Sequence, residues 1–184
     1  RRSKVIQQLR TLFRYRLLTE SLVSRELKAR YRGSVLGFFW SFVNPLLLLL
    51  VYVAVFTVIL PARQLASMEP YALFLFCGIL PWSFFSASLL ESAGVLMAGS
   101  NLIKKVLFPA EVLPLVNVLT NLVQFLLGLP VLLAFLAAYG KLQPSALLLP
   151  LPILVQLVFT LGLALFVSAL TVHFRDVQSI LGHV

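Results

Sequence analysis

Between Arg32 and Arg63 the chain runs for 30 consecutive residues without an Asp, Glu, Lys or Arg. As a helix this run is about 45 Å long at 1.5 Å per residue. The hydrocarbon core of a bilayer needs only about 20 residues. Composition points the same way: 60% of the 184 residues are hydrophobic and 11% are charged. A soluble domain has about 45–50% apolar and about 25% charged residues, so a soluble fold would lack the polar surface to cover itself. Lipid offers no partner for backbone N–H and C=O groups, which favours helices that satisfy their own. The fold class that follows is an all-α integral membrane protein.

Four spans are predicted, at about 35–60, 71–97, 113–139 and 147–172. Pro61 closes the first, and Pro45 should kink it. Pro81 interrupts the second. Gly140-Lys141 follows the third, and Pro150 and Pro152 fall in the first turns of the fourth, where proline is best tolerated. Cys77 excludes an internal disulfide, being the only cysteine, and its apolar setting reads as a buried, inert thiol. The first residue is Arg1 rather than Met, so a longer N-terminus is expected. No signal-peptide pattern precedes the first apolar run.

Ten of the 15 basic residues lie between Arg1 and Arg32, opposed only by Glu20 and Glu26. With four spans both ends share one side. That side also holds the loop at about 98–112 and the tail from His173. It carries thirteen basic residues, against Arg63 and Lys141 on the other. The excess places both ends in the cytoplasm. The basic block abuts an apolar run, so membrane lipids, not nucleic acid, are its expected partner.

Residues 1–32 form a cytoplasmic segment rather than a span. Val5, Ile6, Leu9, Leu12, Phe13 and Leu17 recur at helical spacing, and Leu18, Leu22, Val23 and Leu27 continue the pattern. Arg10, Arg14, Arg16, Arg25 and Lys28 fall between them. This is an amphipathic helix for the membrane interface, or one packed on a partner, and the two can coexist on different faces.

Polar side chains are costly in lipid, so their placement carries information. Asn117, Thr120, Asn121, Gln124 and Gly128 share one face of span 3, and Gln156 and Thr160 form a shorter pair in span 4. They can serve interhelical hydrogen bonding with close packing at Gly128, or a polar wall for a hydrophilic passenger. In span 1, Phe38, Phe42, Leu49, Tyr52 and Phe56 make a stripe that can pack on another helix or line a path. Trp82 and Phe85 follow Pro81 in span 2. Glu91, near the cytoplasmic end of span 2, reads as the partner of a basic residue on the interfacial helix. No phosphate-cradling Gly-x-x-x-x-Gly-Lys-Ser/Thr loop occurs, and the two histidines suggest no catalytic or metal set. Any energy source must lie outside the chain.

Several stretches then read together: Arg25-Glu-Leu-Lys-Ala-Arg-Tyr-Arg-Gly-Ser-Val-Leu-Gly (25–37), Trp40 with Asn44-Pro45, Gly78-Ile-Leu-Pro-Trp-Ser-Phe-Phe (78–85), Asn101-Leu-Ile-Lys-Lys-Val-Leu-Phe-Pro (101–109) with Glu111 and Pro114, and Phe174-Arg-Asp-Val (174–177). In this order they resemble the permease subunit of the ABC-2 type polysaccharide exporters, which move O-antigen, capsule or teichoic-acid polymers. The resemblance covers about residues 20–184 and makes 33–184 an ABC-2 type transmembrane domain. It implies six spans, a homodimer around a duct, and two copies of a separate ABC ATPase that binds ATP and Mg. Spans 5 and 6 would follow Val184.

The resemblance also implies roles. Arg25, Glu26, Lys28, Arg30, Tyr31 and Arg32 belong to the interfacial helix. Asn101, Lys104, Lys105, Phe108, Pro109 and Glu111, with Arg175 and Asp176, face the ATPase as coupling segments. Phe38, Phe42, Tyr52, Phe56, Trp82 and Phe85 are candidates for the duct lining. No cofactor, catalytic residue or metal is expected on this chain itself. The expected setting is the bacterial inner membrane, with a lipid-linked polysaccharide as substrate. A drug- or lipid-exporting permease of the same superfamily and a non-transporting membrane scaffold are the alternatives.

Overall fold

The structure, a computed structural model, describes residues 16–30, 32–34, 37–55, 71–98, 109–174 and 176–181. Among them all regular structure is helical: α1 (Arg16–Arg30), α2 (Trp40–Ala54), α3 (Tyr71–Ala98), α4 (Val112–Ala138), α5 (Pro150–His173) and α6 (Asp176–Leu181). Short 3-10 turns, Gly37–Phe39 and Pro144–Leu148, lead into α2 and α5. Three helical stretches, Leu73–Ala98, Val112–Ala138 and Pro144–His173, are long and apolar enough to cross a membrane, and Phe42–Ala54 is a shorter apolar helix. This is a multi-pass, all-α membrane protein.

The helix ends lie where the residues demand. Gly33 and Gly37, both in the 25–37 motif, adopt φ of 81° and 49°, a region that strains any side chain with a Cβ. Between them Ser34 accepts twice: its carbonyl from Gly37 N–H (3.2 Å), and its hydroxyl from Trp40 Nε1 (2.7 Å). The motif glycines thus turn the chain from α1 into α2, and Trp40 fastens the turn. At the end of α4, Gly140 has φ 65°. Gly140 N–H donates to Ala137 O (3.0 Å) and Lys141 N–H to Leu136 O (2.9 Å), which is a Schellman cap. Pro150 and Pro152 sit in the first turn of α5 as expected. Pro130, which the sequence reading passed over, lies inside α4.

α3 is the central helix and packs against α2, α4, α5 and α6. Leu49 of α2, Leu73, Phe76, Leu80 and Phe84 of α3, Val118, Phe125 and Leu132 of α4, and Ala164 of α5 make the main core. Gln156 Nε2 of α5 donates to the Pro81 carbonyl of α3 (2.8 Å), and α3 runs unbroken through Pro81, which corrects the expected interruption. Only 28, 22 and 17% of the residues in the three span windows are buried within the chain. The outer faces are therefore apolar surface for lipid or other helices. Cys77 corrects an expectation: it is exposed at the flank of the packed face of α3 rather than buried.

Gly128 is the point of closest approach. A Cβ there would stand 2.8 Å from Leu80 Cδ1 and 3.6 Å from Pro45 Cγ. Leu80 is itself buried and has little room to yield. Gly128→Val should therefore separate α2 and α3 from α4 and cost about 1–3 kcal/mol as an overpacked site. Detergent-solubilised protein should show a lowered thermal midpoint, whereas Gly162→Val, with open space around its Cβ position, should not.

Candidate polar cluster and coupling surface

Twenty charge-free residues of α3, Tyr71 to Leu90, span about 30 Å and end at Glu91. The first acid beyond the apolar run therefore stands at a membrane boundary. Its partner is Arg30, the last residue of α1. Arg30 Nη2 donates to Glu91 Oε2 at 2.5 Å. Arg30 Nη1 donates to Asn121 Oδ1 and to Gln124 Oε1, both at 3.0 Å. Asn121 Nδ2 in turn donates to Glu91 Oε2 at 3.0 Å. A single guanidinium thus joins acceptors from two helices, which its planar fork of donors allows.

Asn117 completes the cluster. With its amide nitrogen toward the carboxylate it donates to Glu91 Oε2, and its oxygen accepts from Ser92 N–H (3.0 Å) and Ser92 Oγ (3.1 Å). The reverse placement would set the amide oxygen against the carboxylate. Asn117 and Asn121 are buried, while the Arg30 and Glu91 side chains are 22% and 38% exposed. The polar face of α4 therefore serves helix–helix and helix–arginine bonding along Asn117, Asn121 and Gln124, with Gly128 as the close contact. Thr120 donates to its own helix at Val116 O (2.8 Å). Among the described residues the Thr160 hydroxyl is buried without a partner. A basic partner for Glu91 on the first helix was legible. The reach of Arg30 to Asn121 and Gln124 was not, although their i, i+3 spacing on α4 was the available signal.

α1 also makes an apolar contact. Leu18, Leu22 and Val23 pack with Val95 and Leu96 around Val112, Leu113 and Val116. Its contacts with α4 extend from Val112 to Gln124, about 18 Å of helix. Beside these contacts runs an open groove of about 700 Å³, with Thr19, Val23, Leu27, Leu119, Leu122 and Val123 in its wall. Arg25, Glu26, Lys28 and Arg32 are exposed, and Tyr31 lies outside the described residues. The first helix is thus both basic on its outer face and packed on the bundle by its apolar one.

At the same end of the bundle lie the described parts of the remaining predicted segments. Pro109 is half-buried and Glu111 exposed in the turn entering α4, where Val112 N–H donates to Pro109 O (3.1 Å) and Leu113 N–H to Ala110 O (3.2 Å). Pro114 falls in the first turn, where its missing N–H costs nothing. Phe174 is extended (φ −126°, ψ 94°) and breaks α5 from α6. α6 then returns to α3, with Gln178 against Gly94. Asp176 opens α6. Asn101, Lys104, Lys105, Phe108 and Arg175 lie outside the described residues.

Of the aromatic candidates, Phe42 and Tyr52 are half-buried on α2, and Leu49 of the same stripe is fully buried in the core. Trp82 is exposed. Phe85 stacks on Phe159 of α5 (centroids 6.0 Å, 12°) and lies 5.8 Å from Trp82. The Phe38 side chain and Phe56 lie outside the described residues.

Comparison with known proteins adds relatives to this geometry. The family described as ABC-2 type transporter matches residues 18–184. The chain is 46% identical over 181 residues to the O-antigen export system permease protein RfbA of Myxococcus xanthus, covering 97% of this chain and 68% of the relative. Two proteins of that name from Klebsiella pneumoniae are 36% and 33% identical over 159 residues, covering 85% of this chain and 60% of each relative.

Proposed function

The chain belongs to the ABC-2 type transporter family, and from that premise we propose that it is the membrane-spanning subunit of an ATP-driven exporter. Its passenger is a lipid-linked polysaccharide of the O-antigen, capsule or teichoic-acid class, moved across the bacterial inner membrane. The observation that carries this reading is the 46% identity over 181 residues to a protein named as an O-antigen export permease. ATP is hydrolysed by a separate ABC ATPase, in two copies, beneath a homodimer of the permease. Its Mg is bound there too.

The basic N-terminal segment, the 98–112 loop and the tail face the cytoplasm, a reading supported by the thirteen-to-two distribution of Lys and Arg over a four-span topology. The ATPase grips the loop at Lys104, Lys105 and Phe108, with Glu111 and the Arg175-Asp176 corner beside it. ATP binding can shift the spans only if the docked loop fits one permease arrangement better than the other. The basic outer face of α1 guides the anionic linker of the substrate, and aromatic side chains of α2 and α3 give the sugar chain weak, successive contacts. The test is complementation. A strain lacking the gene should regain surface polymer with the complete reading frame, and ATP hydrolysis by the purified complex should rise with lipid-linked glycan. Stimulation by small amphiphiles alone would favour a drug or lipid exporter, and failure of any ATPase to copurify would favour a scaffold.

A further inference from the structure

We propose that Arg30 is a positioning residue for transport, locking α1 to the α3–α4 pair so that the three move as one body. The proposal rests on the transport reading for its functional consequence but not for its geometry. Among the described residues, α1 meets the bundle through the Leu18–Leu22–Val23 contact near one end and Arg30 at the other, beside the Gly33–Gly37 turn that leads into α2. A groove of about 700 Å³ runs along one side of α1 from Thr19 to Lys28. Arg30 is the polar contact that ties the C-terminal end of α1 to both α3 and α4.

The receiving side is braced by a hydrogen bond of its own, between Asn121 and Glu91. Asn121 is 3% exposed, and its amide nitrogen is committed to Glu91 Oε2, which points its oxygen at the guanidinium. Gln124 adds an acceptor one turn on, so Arg30 bridges Glu91 of α3 with Asn121 and Gln124 of α4. The site stands at the end of the charge-free stretch of α3, where water competes less than in bulk. With all three bonds made, α1 cannot shift on α3 and α4 without breaking at least one of them. Displacement of α1 is then delivered to α3 and α4 instead of being absorbed between them.

The test uses the full-length permease in complex with its ATPase, in lipid vesicles, with Cys77→Ser as background. Spin labels at Ser21 of α1 and Leu126 of α4 report the joint itself. Arg30→Ala should broaden the single distance distribution. Arg30→Lys, which keeps the charge but cannot reach all three acceptors, should broaden it less. In parallel, the polymer exported per ATP hydrolysed should fall at least about fivefold in Arg30→Ala while hydrolysis continues, the lower bound for a typical coupling between sites. An unchanged distance distribution would overturn the proposal. So would export and hydrolysis falling in equal proportion, the signature of a merely structural residue. If Arg30→Ala does not fold, Arg30→Lys decides, and a wild-type distribution and ratio would reject the lock. Absence of export by the wild-type complex would instead remove the transport reading, with the spin-label result still judging the joint.

Discussion

Glu91→Lys is expected to remove most of the folded protein from the membrane. In the native arrangement Glu91 Oε2 receives Arg30, Asn121 and Asn117. A hydrogen bond to a charged group contributes about 1.5–3 kcal/mol. With the Glu91 side chain 38% exposed the lower end applies to each. Loss of all three then approaches about 5 kcal/mol, comparable to the total stability of many domains at about 5–15 kcal/mol. The lysine also brings a second cation against Arg30 and turns two amide donors toward an ammonium. Arg30→Ala should be milder, because Glu91 keeps both asparagines and its exposed edge. Fluorescence-detected size exclusion in detergent would check the order: wild type, then Arg30→Ala, then Glu91→Gln, with Glu91→Lys losing the monodisperse peak. Equal recovery of Glu91→Lys and wild type would mean that the cluster contributes little.

The second large effect concerns the coupling loop. Phe108→Ala combined with Lys104→Glu and Lys105→Glu should abolish export while the permease still inserts and accumulates. An aromatic anchor at a binding hot spot is worth about 2 kcal/mol or more, and each 1.4 kcal/mol is about tenfold in affinity. Reversing two neighbouring charges adds long-range repulsion if the facing surface is acidic. The expected outcome is at least about a tenfold loss of ATPase copurifying with the permease, and no surface polymer. Normal export by this triple variant would reject the loop as the coupling element.

Three of the four predicted spans coincide with helices long and apolar enough to cross a membrane, because lipid makes the signal simple. Long charge-free runs must be helical, and their ends are marked by Gly140, Pro150 and the first charge after Leu90. α4 ends at Ala138 and α5 begins at Pro150, within two residues of those marks, whereas α3 runs on to Ala98, seven residues past Glu91. The pairing of Glu91 with a basic residue of the first helix was legible for a related reason, since an acid at a membrane edge needs a cation and that helix supplies most of them. What remained illegible was which helix faces which. Asn117, Asn121 and Gln124 declare a shared face, but periodicity does not say whether that face meets water, sugar or another helix. The answer depended on Arg30, whose position is fixed by the Gly33–Gly37 turn and by the apolar contact of Leu18 and Leu22. Leu49 belongs to the aromatic stripe of α2 yet is buried in the core of its own chain, because a stripe specifies a packed face without specifying its partner. Cys77 misled for the opposite reason. An apolar neighbourhood in a membrane helix does not imply burial, since lipid is as apolar as the core.

In the proposed orientation the arginine-rich segment, the 98–112 loop and the tail face the cytoplasm, where a separate ATPase can grip them. The most direct measurement places a cysteine at position 104 in a Cys77→Ser background and applies a membrane-impermeant maleimide to intact cells and to inside-out vesicles. Labelling in the vesicles only, diminished when the ATPase subunit is bound, is the predicted result. Labelling of intact cells from outside would invert the chain in the membrane and contradict the account.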